Sequence, residues 1–85
     1  MTAKTFLIDT SVLLYDKQSV HSFADNHVVL PMVVLDELDR FKEKSGNLGD
    51  HARYVNRFLD DLRKKGSLHV GVKIDNDQTI RVEIN

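Results

Sequence analysis

Near its N-terminus the chain reads Lys4-Thr5-Phe6-Leu7-Ile8-Asp9-Thr10-Ser11-Val12-Leu13-Leu14, an apolar run that stops on a carboxylate and two small hydroxyl residues. Three bulky apolar residues in succession, in so short a run, predict a β-strand from about Thr5 to Ile8 buried on both faces. Such strands belong to parallel sheets, whose ligands sit just beyond the carboxyl ends of the strands. A carboxylate placed there is poised for a metal ion or a phosphate. A second stretch, Pro31-Met32-Val33-Val34-Leu35-Asp36-Glu37-Leu38-Asp39-Arg40-Phe41, follows another short apolar strand and again carries acids. Acids at two adjacent strand exits point to a divalent-metal site.

A chain of 85 residues makes one small domain or part of a larger one. At that size roughly 60–65% of the unfolded surface is buried, enough for one modest core. Hydrophobic residues make up 41% and charged residues 29%, a globular composition and not a disordered one. The formal net charge of −1 gives no overall attraction to nucleic acid, so any such partner would have to be held by a local patch or through metal ions. The absence of Cys excludes disulfides and thiolate metal sites and is compatible with a reducing cytosol. The N-terminus lacks the apolar stretch of a signal peptide, and Val28 to Leu35, interrupted by Pro31, is too short to span a bilayer. The expectation is a cytoplasmic chain with no membrane partner.

A helical turn is expected around Val12 to Tyr15, then a polar connection from Lys17 to Asn26 with Val20 and Phe23 pinned to the core. Val28 to Leu30 reads as the second strand, pairing parallel with the first. Pro31 suits the first turn of the next helix, where its missing N–H costs nothing. On that helix Val34, Leu38 and Phe41 make an apolar stripe, with Asp36, Asp39 and Arg40 on the opposite side. The helix should stop near Ser45-Gly46. In the next one Leu48, Ala52, Val55, Leu59 and Leu62 line one face to about Lys64, and Gly66 ends it. His69 to Ile74 and Thr79 to Ile84 alternate around Asp75-Asn76-Asp77-Gln78, the pattern of a β-hairpin.

Asp9 has two readings. It caps the turn after the first strand, accepting N–H bonds near Ser11 and Val12, or it binds metal. Glu37 lies three residues after Val34 and four before Phe41, so it flanks the apolar stripe. A carboxylate there needs a partner, which is either a cation or an ion pair with Lys44 or Arg40. Mg²⁺ and Mn²⁺ take hard oxygen ligands and keep several waters, so two carboxylates hold such an ion loosely. Arg53, Arg57 and Lys64 share one side of the long helix and could touch phosphates, although Asp60 and Asp61 dilute that patch. His21, His27, His51 and His69 lack metal-ligand spacing and read as surface residues. No GxxxxGK[ST] loop or nucleophile elbow occurs.

With Asp9-Thr10-Ser11-Val12-Leu13-Leu14 and Val33-Val34-Leu35-Asp36-Glu37-Leu38-Asp39-Arg40-Phe41 in place, the chain resembles a PIN domain, and specifically the PIN module at the N-terminus of PhoH-like ATPases. The likeness continues through Leu48-Gly49-Asp50-His51-Ala52-Arg53, Arg57 to Arg63 and Lys65-Gly66-Ser67-Leu68, nearly the whole chain. The resemblance implies an α/β fold, a three-layer α/β/α sandwich around a parallel sheet, here partial and followed by the hairpin. It also implies a Mg²⁺- or Mn²⁺-dependent ribonuclease acting on RNA. The family's first-strand Asp and second-helix Glu map onto Asp9 and Glu37 as metal-binding and catalytic acids. Thr10 and Ser11 would support them, and Arg53 and Arg57 are the candidate RNA contacts.

Two departures from the family stand out. Ser11 occupies a position where the family commonly has Asn, and the later acids of the family lie beyond residue 85. Residues 1–85 therefore read as the N-terminal part of a PIN-like domain, with a PhoH-type ATPase domain expected in the parent protein. The alternative is a non-catalytic RNA-binding or protein-interaction module on the same fold. A phosphatase of the haloacid-dehalogenase kind would need a second Asp where Ser11 stands. One face of so small a sheet should lack helices, leaving Phe6, Ile8 and Val29 exposed or covered by another copy of the chain, hence a homo-oligomer.

Overall fold

The computed structural model describes residues 2–84. The elements run β1 (Thr5–Leu7), α1 (Thr10–Tyr15), a 3₁₀ turn over Lys17–His21, β2 (His27–Pro31), α2 (Met32–Phe41), α3 (Gly46–Arg63), β3 (Val72–Lys73) and β4 (Thr79–Glu83). They build one four-stranded sheet in the order β1-β2-β4-β3. β1 and β4 both pair parallel with β2, in registers that set Phe6 beside Val28 and Val28 beside Ile80. Only β3 is antiparallel, against β4. The expected hairpin is therefore short, and its second strand belongs to the parallel sheet. Alternation at Ile80 and Val82 identified a strand but not the neighbour it would choose.

Strand alternation sends Val28, Leu30, Ile80 and Val82 to one face, where they join Ile8, Leu13, Leu14, Val20, Val34, Leu38, Ala52, Val55, Leu59 and Leu62 in a single core. All three helices and the 3₁₀ turn supply that core, so one helical layer covers one face of the sheet, as expected of a partial sandwich. Each of these Leu and Val side chains contributes about 1.5–3 kcal/mol by leaving water. Val20 is fully buried, and half-buried Phe23 packs on Phe6 with ring centroids 4.9 Å apart.

The structure departs from the sequence expectations at several points. β1 is not buried on both faces: among the described residues it is an edge strand, and Leu7 is 67% exposed. Ile8 and Val29, expected at an open surface, are buried, and Phe6 is half-buried. Ile8 turns toward the helices just past the strand end, while Val29 lines a recess shared with Val70, Gly71 and Arg81 on the second face. Leu48 is exposed, and Gly49 takes the buried place in its stead. A Cβ on Gly49 would lie 1.7 Å from the Lys44 carbonyl oxygen, so the α2–α3 turn closes only on a residue without a side chain. Gly46, read as a stop, instead opens α3 with a positive φ of 73°. Pro31 caps α2 rather than entering its first turn.

Candidate metal site

The end of β1 and the middle of α2 meet at Thr10. Asp9 holds an extended conformation at the start of α1, and its Oδ1 accepts the Thr10 N–H at 2.8 Å. Its Oδ2 accepts the Ser11 hydroxyl at 3.2 Å. The expected capping role is thus real but served by Thr10, since the Val12 N–H goes to the Asp9 carbonyl instead. Asp9 itself is solvent-exposed. Helix α2 presents Glu37 at the margin of its buried stripe of Val34 and Leu38, where it is half-buried. Its Oε1 accepts the Thr10 hydroxyl at 2.8 Å.

One residue therefore joins the two acids: the N–H of Thr10 holds Asp9 and its hydroxyl holds Glu37. Thr10 is 4% exposed, so the donor side of both bonds is buried, while Asp9 is exposed and Glu37 half-buried. The ion pair from Glu37 to Lys44 or Arg40 does not form among the described residues. Asp36 and Asp39 are exposed, away from Thr10, and Asp39 pairs with Lys42, whose pKa that hydrogen bond raises above the usual lysine value. Two carboxylates with oxygen lone pairs left over suit a hard cation such as Mg²⁺ or Mn²⁺ as part of a six-oxygen set. No cluster of three or more His, Cys, Asp or Glu side chains forms among the described residues.

Arg53 does not stand free for RNA. Its Nη1 donates to the carbonyl oxygens of Lys42 (2.7 Å) and Lys44 (3.2 Å), and its Nη2 pairs with Asp50. It clamps the turn after α2. Arg57 is exposed and has no ion pair among the described residues. Arg40, expected opposite the stripe, is exposed yet lines a recess of about 430 Å³ together with Glu37, Phe41 and Lys44.

Two histidines are less superficial than their spacing suggested. His21 Nε2 meets the Tyr54 hydroxyl at 2.9 Å, and His51 Nδ1 meets the Leu14 carbonyl at 2.6 Å, each half-buried. Sequence reasoning also missed Gln78, fully buried beneath the 3₁₀ turn. Its side chain donates to the Val20 carbonyl at 2.6 Å and accepts the Phe23 N–H at 3.0 Å. A Gln beside Asp75-Asn76-Asp77 carries no sequence signal of burial.

A family model described as "PIN domain" matches residues 6–84. Among curated proteins, the chain is 43% identical over 83 residues to Protein PhoH2 of Bacillus subtilis, covering 98% of this chain and 19% of that protein. It is 48% identical over 83 residues to Protein PhoH2 of Thermobispora bispora, covering 96% and 19%. Protein PhoH2 of Mycolicibacterium smegmatis is 39% identical over 84 residues, again with 96% and 19% covered. The chain thus spans 19% of the length of each of these relatives. No solved structure matches it significantly. No helix among the described residues is long and apolar enough to cross a membrane.

Proposed function

The chain belongs to the PIN domain family, and we propose that it supplies Asp9 and Glu37 as the first metal-binding acids of a Mg²⁺- or Mn²⁺-dependent ribonuclease. One observation carries the reading: Thr10 ties both carboxylates to a single buried anchor at the exit of β1. A structural cap needs only Asp9, and a surface ion pair needs only Glu37. Joining them through an almost fully buried hydroxyl fits a site in which both are used together.

Asp9 and Glu37 would hold the cation, which when bound lowers the pKa of a coordinated water and offsets charge on a phosphodiester. The chain's own residues set the geometry for this. The N–H of Thr10 fixes the carboxylate of Asp9, its hydroxyl fixes Glu37, and Ser11 restrains the second oxygen of Asp9. We place the remaining acids outside these residues, in a longer cytoplasmic parent protein with a PhoH-type ATPase domain. The lengths of the relatives support a longer parent.

Mn²⁺ titration of the chain tests the assignment. Weak saturable binding should vanish in Asp9→Asn and in Glu37→Gln while the circular dichroism spectrum is retained. In the longer protein either variant should lose most RNA cleavage. Cleavage at the wild-type rate would remove both residues from the reaction. The isolated 85-residue chain is expected to be nearly inactive, since two carboxylates alone hold one cation loosely and do not assemble a metal pair.

A further inference from the structure

Several cations on or just beyond the long helices are already paired. Lys42, Arg53, Arg63 and Lys64 each sit near an Asp three residues earlier in the chain. Arg40 and Lys44 are exposed and have no such partner among the described residues. They stand four residues apart, one in the last turn of α2 and one in the turn beyond it, and share the recess that holds Glu37. Half-buried Phe41 forms part of the same lining. The recess therefore joins a metal-site acid to two unspent cations and an aromatic surface.

The backbone that carries Lys44 is held in place from below. Gly49 lies against the Lys44 carbonyl so closely that no side chain fits, and the Arg53 guanidinium grips the carbonyls of Lys42 and Lys44. The same turn is where α2 gives way to α3, and a free lysine at such a place would ordinarily be mobile. Fixing its main chain lowers the entropy lost when the ammonium is engaged.

We propose that Arg40 and Lys44 form an anion subsite that grips backbone phosphates of a single RNA strand beside Glu37, with Arg53 as the positioning residue for Lys44. This rests on the ribonuclease reading and names where the substrate strand lies. Arg40 offers a planar fork and Lys44 a point charge, both suited to phosphate oxygens and indifferent to base identity. Phe41 offers the recess an apolar wall against which a base or ribose can rest. The strand would run along the end of α2, not along the α3 face that carries Arg57.

Binding of a fluorescent single-stranded RNA oligonucleotide, measured with EDTA present at several salt concentrations, tests this separately from metal chemistry. Each phosphate contact on a single strand contributes about 0.7 to the slope of log K against log salt. The Arg40→Gln/Lys44→Gln double variant should therefore lose about 1.4 of slope, which at 0.1 M salt corresponds to roughly 25-fold weaker binding. Arg63→Gln, whose cation is already paired with Asp60, should bind like wild type. Arg53→Lys should weaken binding in the wild-type background but have no further effect in a chain already carrying Lys44→Gln.

An unchanged slope in the double variant, with RNA binding by the wild type intact, overturns the subsite and leaves the ribonuclease reading standing. A wild-type chain that binds no RNA overturns the RNA reading itself and the subsite with it. Saturable Mn²⁺ binding that survives in the double variant shows that loss of RNA affinity is not loss of fold or of the acid pair.

Discussion

The hydroxyl of Thr10 donates to Glu37 Oε1 at 2.8 Å across 27 positions of sequence, from the first residue of α1 to the middle of α2. Because the Thr10 N–H also holds Asp9, a change at Thr10 should be felt at both acids without removing either. Thr10→Val keeps the shape and burial and removes the donor. It is expected to weaken Mn²⁺ binding about 10-fold or more, the usual scale for a residue that orients a metal ligand. Thr10→Ser should restore most of the affinity. Equal affinities for the Val and Ser variants, by calorimetry or Mn²⁺ electron paramagnetic resonance, would show that the hydroxyl does not orient Glu37.

Gly49 tolerates no side chain. In Gly49→Ala the new methyl would overlap the Lys44 carbonyl, so α3 must shift away from α2 or the turn must open. The expected loss is at or above the about 3 kcal/mol upper range of ordinary overpacking. For a domain this small each kcal/mol lowers Tm by about 4–8 °C. A thermal melt unchanged within a few degrees would mean that the turn yields more readily than its close packing indicates.

Gln78 is expected to be as sensitive as a core leucine. Gln78→Leu keeps the volume but strands the Val20 carbonyl and the Phe23 N–H. Each buried group left unpaired costs about 1–3 kcal/mol, so a total of about 3 kcal/mol or more should appear in urea unfolding. Asn76→Ala, which removes bonds to the His21 carbonyl and to Gln78 from a half-buried position, should cost less.

β1 is an edge strand with a bulky apolar side chain in water: Leu7 is 67% exposed. Unpaired strand edges of this kind template association. The isolated chain is expected to self-associate at high concentration, and Leu7→Lys should shift it toward monomer, since charge on an edge opposes pairing. Sedimentation equilibrium decides: a wild-type monomer at all concentrations would show that the edge is inert.

The local pattern of the chain determined more of this protein than its length suggests. The abrupt stop at Asp9, the flanking position of Glu37 beside Val34 and Leu38, and the stripe of Ala52, Val55, Leu59 and Leu62 are all statements about neighbours in sequence. Periodicities of 2 and 3.6 report those faithfully. They sufficed for the α/β class, for both parallel strands at the start, and for the family resemblance. Tertiary structure decided what depends on partners far along the chain. That β4 would lie beside β2, that Thr10 would reach Glu37, and that Gln78 would be buried under Val20 each involves a contact across 27 or more positions. No local period encodes such contacts. The same holds for Arg40, Arg53 and Lys44, equivalent as cations in the sequence. Packing of α3 against the turn after α2 consumed the guanidinium of Arg53 in backbone hydrogen bonds and left the other two charges facing the recess beside Glu37.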